Sequence, residues 1–270
     1  MCSDSSSFQV RWRLIGLAWL AAIGVCGGSV RGADGWADWR VAGPFVCRAD
    51  FALEYEEPLL ADLAHLQDDL VRVLGVAPAE ERIEIYLFSR ESTYRRFLRQ
   101  RFPGVPYRRA LYIKRGGPGM VLAYRSEELA TDLRHECTHA LLHAVLPMVP
   151  LWLDEGLAEF FEMAPAERPY GSPHLDKIKW NARFGIKTSV AKLEANASLQ
   201  QMSGADYRDA WAWVHFMLYG SADAHAELVL FLRAIGQGVP PGSLGDRLES
   251  RIPNVGREYL AHFRKWPTDR

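Results

Sequence analysis

The chain has 270 residues, 49% of them hydrophobic and 24% charged, with a formal net charge of −1. That length supports one substantial core or two small lobes, and that balance excludes a disordered or collagen-like chain. Near-neutral charge gives no overall pull toward nucleic acid.

The amino terminus reads as a targeting segment. Arg11 and Arg13 precede an apolar run from Leu14 to Val25, small residues follow, and cleavage is expected after Gly32 or Ala33. Such a run matches a secretory signal and is too short for a comfortable membrane span. Residues 1–32 are therefore set apart as a signal peptide. The mature protein is expected to be exported, periplasmic or secreted, with no stable membrane span; an uncleaved segment that anchors it to a membrane is the alternative. Cys2 and Cys26 fall in this segment, which leaves Cys47 and Cys137. Export permits these two to pair, and two buried free thiols are the preferred reading.

Trp39 to Cys47 has the composition of a strand. Pro58 then opens a helix whose Leu59, Leu63, Leu66, Leu70 and Val73 keep helical spacing, with Gly75 as its stop. Ile83, Ile85 and Leu87 alternate with Glu84, Tyr86 and Phe88 and predict a strand. Ser89 is the expected cap of a helix through Phe97 and Arg101. Ala110–Ile113 and Met120–Tyr124 read as strands around Gly116-Gly117-Pro118-Gly119. Val121 to Tyr124 is the candidate sheet edge, where unpaired backbone groups suit an extended peptide, with an interior strand as the alternative.

The chemistry-bearing stretch follows. Ser126 is the expected cap of a helix carrying His135-Glu136-Cys137-Thr138-His139, with an apolar stripe of Leu129, Leu133, Ala140, Leu141 and Ala144. Positions four apart share a helix face, so His135 and His139 aim two imidazoles at one point. Glu136 stands a step round, where it can reach a metal-bound water as general base. His143 has drifted off the metal face and is read as a packing or surface residue. Catalytic zinc usually has three protein ligands. The third candidate is Glu155 in Leu151-Trp152-Leu153-Asp154-Glu155-Gly156-Leu157-Ala158-Glu159, beyond the helix-ending Leu146-Pro147-Met148-Val149-Pro150. Glu159, four residues later on the same face, is placed to hydrogen-bond the outer nitrogen of a ligand histidine.

HExxH followed by Trp-Leu-x-Glu-Gly-x-Ala resembles the gluzincin metallopeptidases, and distantly the catalytic domain of the aminopeptidase N family. A nearer resemblance is to the exported bacterial peptidase-MA-like domains. The resemblance implies Zn²⁺ held by His135, His139 and Glu155, with Glu136 as base in a zinc-dependent metallopeptidase that acts on a peptide or protein substrate. It also implies an α+β fold: a small mixed sheet packed on the zincin active-site helices, followed by an all-helical C-terminal part. Fifteen residues separate His139 from Glu155, a little fewer than is usual in aminopeptidase N. That family's Gly-Ala-Met-Glu-Asn stretch, which holds the substrate amine, has no counterpart here, so endopeptidase action is favoured. The rival is an exported zinc-holding binding protein without turnover.

Between Arg90 and Arg125 ten Lys or Arg face one acid, Glu91. Such runs are ordinarily solvated faces, and the functional reading is a rim that favours acidic substrates. No nucleic-acid module accompanies it. The Pro-rich passage from Pro165 to Pro173 divides a part spanning residues 33–164, with the zinc motif, from a helical part spanning 165–270. Thr188–Ala195, Ala205–Tyr219, Ala222–Ile235 and Val255–Trp266 have helical spacing. Tyr207 resembles in position the gluzincin tyrosine that donates to the developing oxyanion, and His215 is the substitute candidate.

Overall fold

The computed structural model describes residues 35–267 and the backbone of residues 26–27. The expected signal peptide otherwise lies outside the described residues. Among these, no helix is long and apolar enough to cross a membrane.

The fold is α+β. Five main strands and one two-residue strand make a mixed sheet: β1 (Cys26–Gly27), β2 (Asp38–Ala42), β3 (Phe45–Ala49), β4 (Ile83–Phe88), β5 (Ala110–Ile113) and β6 (Met120–Tyr124). Their order is β1-β2-β3-β4-β6-β5. β4 runs parallel to β3 and β6, while β5 returns antiparallel to β6. The expected edge is thereby corrected. Val121 to Tyr124 pairs on both sides, with β4 and with β5, so the open edge on this side of the sheet is β5. The single strand expected from Trp39 to Cys47 is also corrected to a hairpin. Gly43, at φ 56°, supplies the left-handed turn residue and Pro44 interrupts pairing.

Alternation along the strands fixes what each face covers. Ile83, Ile85, Leu87, Val121 and Ala123 point into a core shared with α1 (Glu57–Leu74). Phe88, Leu111, Ile113 and Leu122 point into a smaller cluster on the other face, beneath α2 (Glu91–Arg101). Pro58 lies in the first turn of α1, and the Gly75 N–H closes its last turn on the Val71 carbonyl. Neither serine expected as a cap acts as one. The residue at the start of α2 is Arg90, and the Ser89 N–H donates to Asp50 instead. Helix α3 (Leu129–Val145) starts after Glu128 without a side-chain cap; the Ser126 carbonyl accepts from the Leu129 N–H.

After β6 every regular element is a helix: α3, α4 (Leu151–Phe161), α5 (Leu175–Arg183), α6 (Val190–Glu194), α7 (Gly204–Tyr219), α8 (Ala222–Gly236), α9 (Leu244–Arg251) and α10 (Val255–Lys265). One hydrophobic core runs from the sheet through α3 and α4 into α7, α8 and α10. α4 packs closely on α7, and Gly156 permits the approach. A Cβ at that position would lie 2.8 Å from the Ala210 carbonyl oxygen. Cys47 on β3 and Cys137 on α3 are free, buried thiols, and burial raises the pKa of each.

Candidate metal centre

The loop Leu146–Pro150 turns the chain between α3 and α4, and α4 opens with Pro150 accepting from the Leu153 and Asp154 N–H groups. This lays Glu155 against the His135–His139 face. The two Nε2 atoms are 3.3 Å apart. Glu155 Oε2 lies 3.7 Å from the first and 3.8 Å from the second. The point equidistant from all three atoms is about 2.1 Å from each, within the range of zinc–nitrogen and zinc–oxygen bonds. The three residues therefore fit a metal ion, and His135, His139 and Glu155 are the cluster that can hold one.

The outer nitrogens are met by carboxylates, but not by Glu159. His135 Nδ1 is bonded to Glu162 Oε2 at 2.9 Å. His139 Nδ1 stands 3.0 Å from Asp154 Oδ1, at an angle that falls short of a hydrogen bond. Glu159 instead bonds His174 Nε2 at 3.0 Å. The helical period explains the correction. Seven residues bring Glu162 almost back over Glu155, whereas four carry Glu159 past that line toward His174. Asp154 has a second contact, 3.0 Å from His143 Nε2, and the His143 ring stacks on Tyr112 at 5.9 Å. His143 is off the metal face as expected, yet it belongs to the support of His139.

These carboxylates set the electrostatics. Burial alone would lower the pKa of His135, but the neighbouring Glu155 and Glu162 carboxylates outweigh that and hold it well above the usual value. Burial likewise opposes a charge on His139, and Asp154 overcomes it. Burial raises the Glu162 carboxyl, with neighbouring Glu159 adding to the rise. Asp154 is lowered despite its burial, because His139 and His143 face it. The centre thus favours positive charge between the rings, which a metal cation would supply.

Glu136 projects beside the cluster. Its Oε2 accepts from the Tyr112 N–H at 2.7 Å, which ties α3 to edge strand β5. Two cavities meet here. One of about 680 Å³ is bounded by Arg108, Arg109, Asp132, Glu136 and Glu162. The other, about 200 Å³, runs between Leu111, Tyr112, Leu151, Glu155 and Leu199. His135 and Glu136 belong to both linings, so the centre opens onto a cleft.

α7 completes the surroundings. Ser203 and Asp206 form a reciprocal capping box that starts this helix. Tyr207, in its first turn, is half-buried and lies in the field of the centre. Burial raises its pKa, the Glu155 charge adds to that, and Arg108 partly offsets both. His215 is not near the cluster. Its Nε2 bonds the Pro169 carbonyl and its Nδ1 meets His262 Nε2, both at 3.1 Å. Two further turns of α7 carry it into an aromatic core, so the substitute reading is corrected to a satisfied core residue.

Sequence reasoning missed Asp154, Glu162 and Arg108. Glu162 had a readable signal, since it repeats Glu155 at seven-residue spacing. Asp154 had none, because its reach to His139 depends on how α4 crosses α3.

No protein-family model matches the chain, and no curated protein matches it. Among solved structures, it is similar to an M1 zinc metallopeptidase from Deinococcus radiodurans, with 14% identity and a TM-score of 0.38, over 85% of this chain and 50% of that one. A variant of the same enzyme gives 15% identity and a TM-score of 0.39, over 84% and 49%. The chain spans about half the length of these structures.

Proposed function

We propose that this protein is a zinc-dependent metallopeptidase that hydrolyses peptide bonds within peptide or protein substrates outside the cytoplasm. The observation that carries the reading is the shared focus of His135, His139 and Glu155 at metal-bond length, with the Glu136 carboxylate alongside in an open cleft. A structural zinc site is ordinarily closed by a fourth protein group. Here a cleft adjoins the centre.

A zinc ion held there supplies a Lewis acid for the scissile carbonyl and acidifies water. Glu136 takes the proton of the attacking water and later delivers it to the leaving amine. The Tyr112 N–H fixes the orientation of that carboxylate while leaving its other oxygen to act. Tyr207 donates its phenolic hydrogen to the developing oxyanion. Glu162 and Asp154 keep the His135 and His139 rings turned toward the centre. Lining one side of the cleft, β5 offers its outer backbone groups to an extended peptide.

The test is a broad peptide library incubated with zinc-loaded protein, with and without chelator, and read by mass spectrometry. Fragments from internal bonds, lost with chelator and restored by zinc, are expected. A silent library at full zinc occupancy overturns peptidase action and leaves an exported zinc-holding binding protein.

A further inference from the structure

The cleft is crowded with acids: Glu128, Asp132, Glu136 and Glu162 line the larger cavity, and Asp154 and Glu155 join Glu136 in the smaller. A substrate bearing a carboxylate near the cleaved bond is repelled by them unless an uncommitted cation receives it. Two arginines line this space, and they differ. Arg109 is committed, with its guanidinium 2.8 Å from Asp132. Arg108 is exposed, lines both cavities, and has no carboxylate within ion-pair distance among the described residues.

The other cations of the Arg90–Arg125 run do not compete for this role. Arg95 pairs with Glu91, Lys114 with Glu81 and Arg125 with Glu56. Those without such a partner do not line the cleft. The excess of positive charge visible in the sequence therefore narrows, at the centre, to one side chain. Arg108 stands two residues before β5, at one end of the edge that an extended peptide would follow. Its charge is felt at Tyr207 on α7, where it lowers the phenol's pKa against the effect of burial. A planar fork of donors in that position matches a carboxylate through two parallel hydrogen bonds.

We propose that Arg108 anchors a carboxylate of the substrate, and so gives the cleft a preference for peptides with an acidic group beside the cleaved bond. The proposal rests on the metallopeptidase reading for the identity of the ligand as a peptide. The carboxylate comes either from a Glu or Asp side chain or from a free chain terminus, since both present the same two oxygens.

The experiment uses matched peptides taken from cleaved library members: Glu against Gln at each position, and free acid against amide at the carboxy terminus. Each is compared in the wild-type chain, R108Q and R108K, by steady-state kinetics and by calorimetry on the zinc-loaded protein with Glu136→Gln added to prevent turnover. Wild type is expected to favour the carboxylate form by about tenfold or more, the scale of a charge-assisted hydrogen bond, chiefly through KM. R108Q should erase the ratio, and R108K should keep part of it. Dependence on the Glu–Gln pair assigns a side-chain carboxylate, and dependence on the acid–amide pair assigns the terminus. Equal handling of both forms by wild type, or a ratio that R108Q leaves intact, overturns the proposal. If no peptide is cleaved, the peptidase reading fails separately. Calorimetry on a synthetic acidic peptide and its amide counterpart then still decides the role of Arg108: carboxylate-dependent binding lost in R108Q upholds it, and equal or absent binding overturns it.

Discussion

Two pairs of histidines in this molecule bring ring nitrogens to 3.3 Å and 3.1 Å of one another, and they behave in opposite ways. His135 and His139 stand among Glu155, Glu162 and Asp154, and both are pushed toward the protonated form. His215 and His262 stand among Trp211, Tyr219, Phe263 and Trp266. Burial drives His215 down to about 3 and His262 to about 4. Proximity of imidazoles is common to both, so it does not make a metal centre. What sets the candidate metal centre apart is its carboxylates, which stand beside the outer nitrogens and favour a cation between the rings.

The largest expected break leaves the His135–His139 pair intact and removes only the neighbouring carboxylate. Glu136→Gln should lower kcat at least about a hundredfold while zinc content by elemental analysis is unchanged; an unaltered rate would take Glu136 out of the mechanism. Tyr207→Phe should cost about a hundredfold in kcat with little change in KM, the scale of losing one oxyanion donor. Asp154→Asn makes the setting of His139 more like that of His215. Zinc affinity, measured by competition with a chelating dye, should fall about ten- to hundredfold, whereas His215→Gln should leave it as in wild type.

The smaller effects concern stability. Gly156→Ala forces α4 and α7 apart and should destabilise the fold by about 1–3 kcal/mol, read as a lower denaturation midpoint. His215 stays neutral in the native chain down to about pH 3, but an unfolded histidine takes its proton near 6.5. The unfolded state therefore binds more protons in that window, and native stability falls as pH drops from 6.5 toward 3. The midpoint of wild type should decline more between pH 6.5 and 4 than that of His215→Gln. Equal slopes would mean that the aromatic core does not hold His215 neutral.

What the sequence made legible follows from local periodicity. The strand Ile83–Phe88 and the helices Ala222–Gly236 and Val255–Lys265 lie within a residue of where spacing places them, because each has one strongly apolar face. The histidine pair was readable for the same reason. Helices α5 and α9 were not, since each is short and has few apolar residues, even though Ser243 caps the start of α9. The position of β6 inside the sheet was hidden as well, for strand order is decided by packing across the sheet rather than by any one strand. Glu159 shows the limit within the motif itself. A shared face at four-residue spacing leaves a rotation of tens of degrees unaccounted for, enough to send its carboxylate to His174 and leave the ligand ring to Glu162.

The bond from Tyr112 to Glu136 also fixes the phase of strand β5. Because that N–H points outward, Tyr112 and Ala110 face away from β6, while Leu111 and Ile113 direct their amides inward. A chain laid alongside would thus meet a full donor–acceptor couple at Ala110 but only a carbonyl at Tyr112, the donor there being already engaged by Glu136. A guest one residue out of step would forfeit these partners. On the proposed peptidase reading, the geometry of a single amide would select which bond of a bound polypeptide comes to rest at the candidate centre.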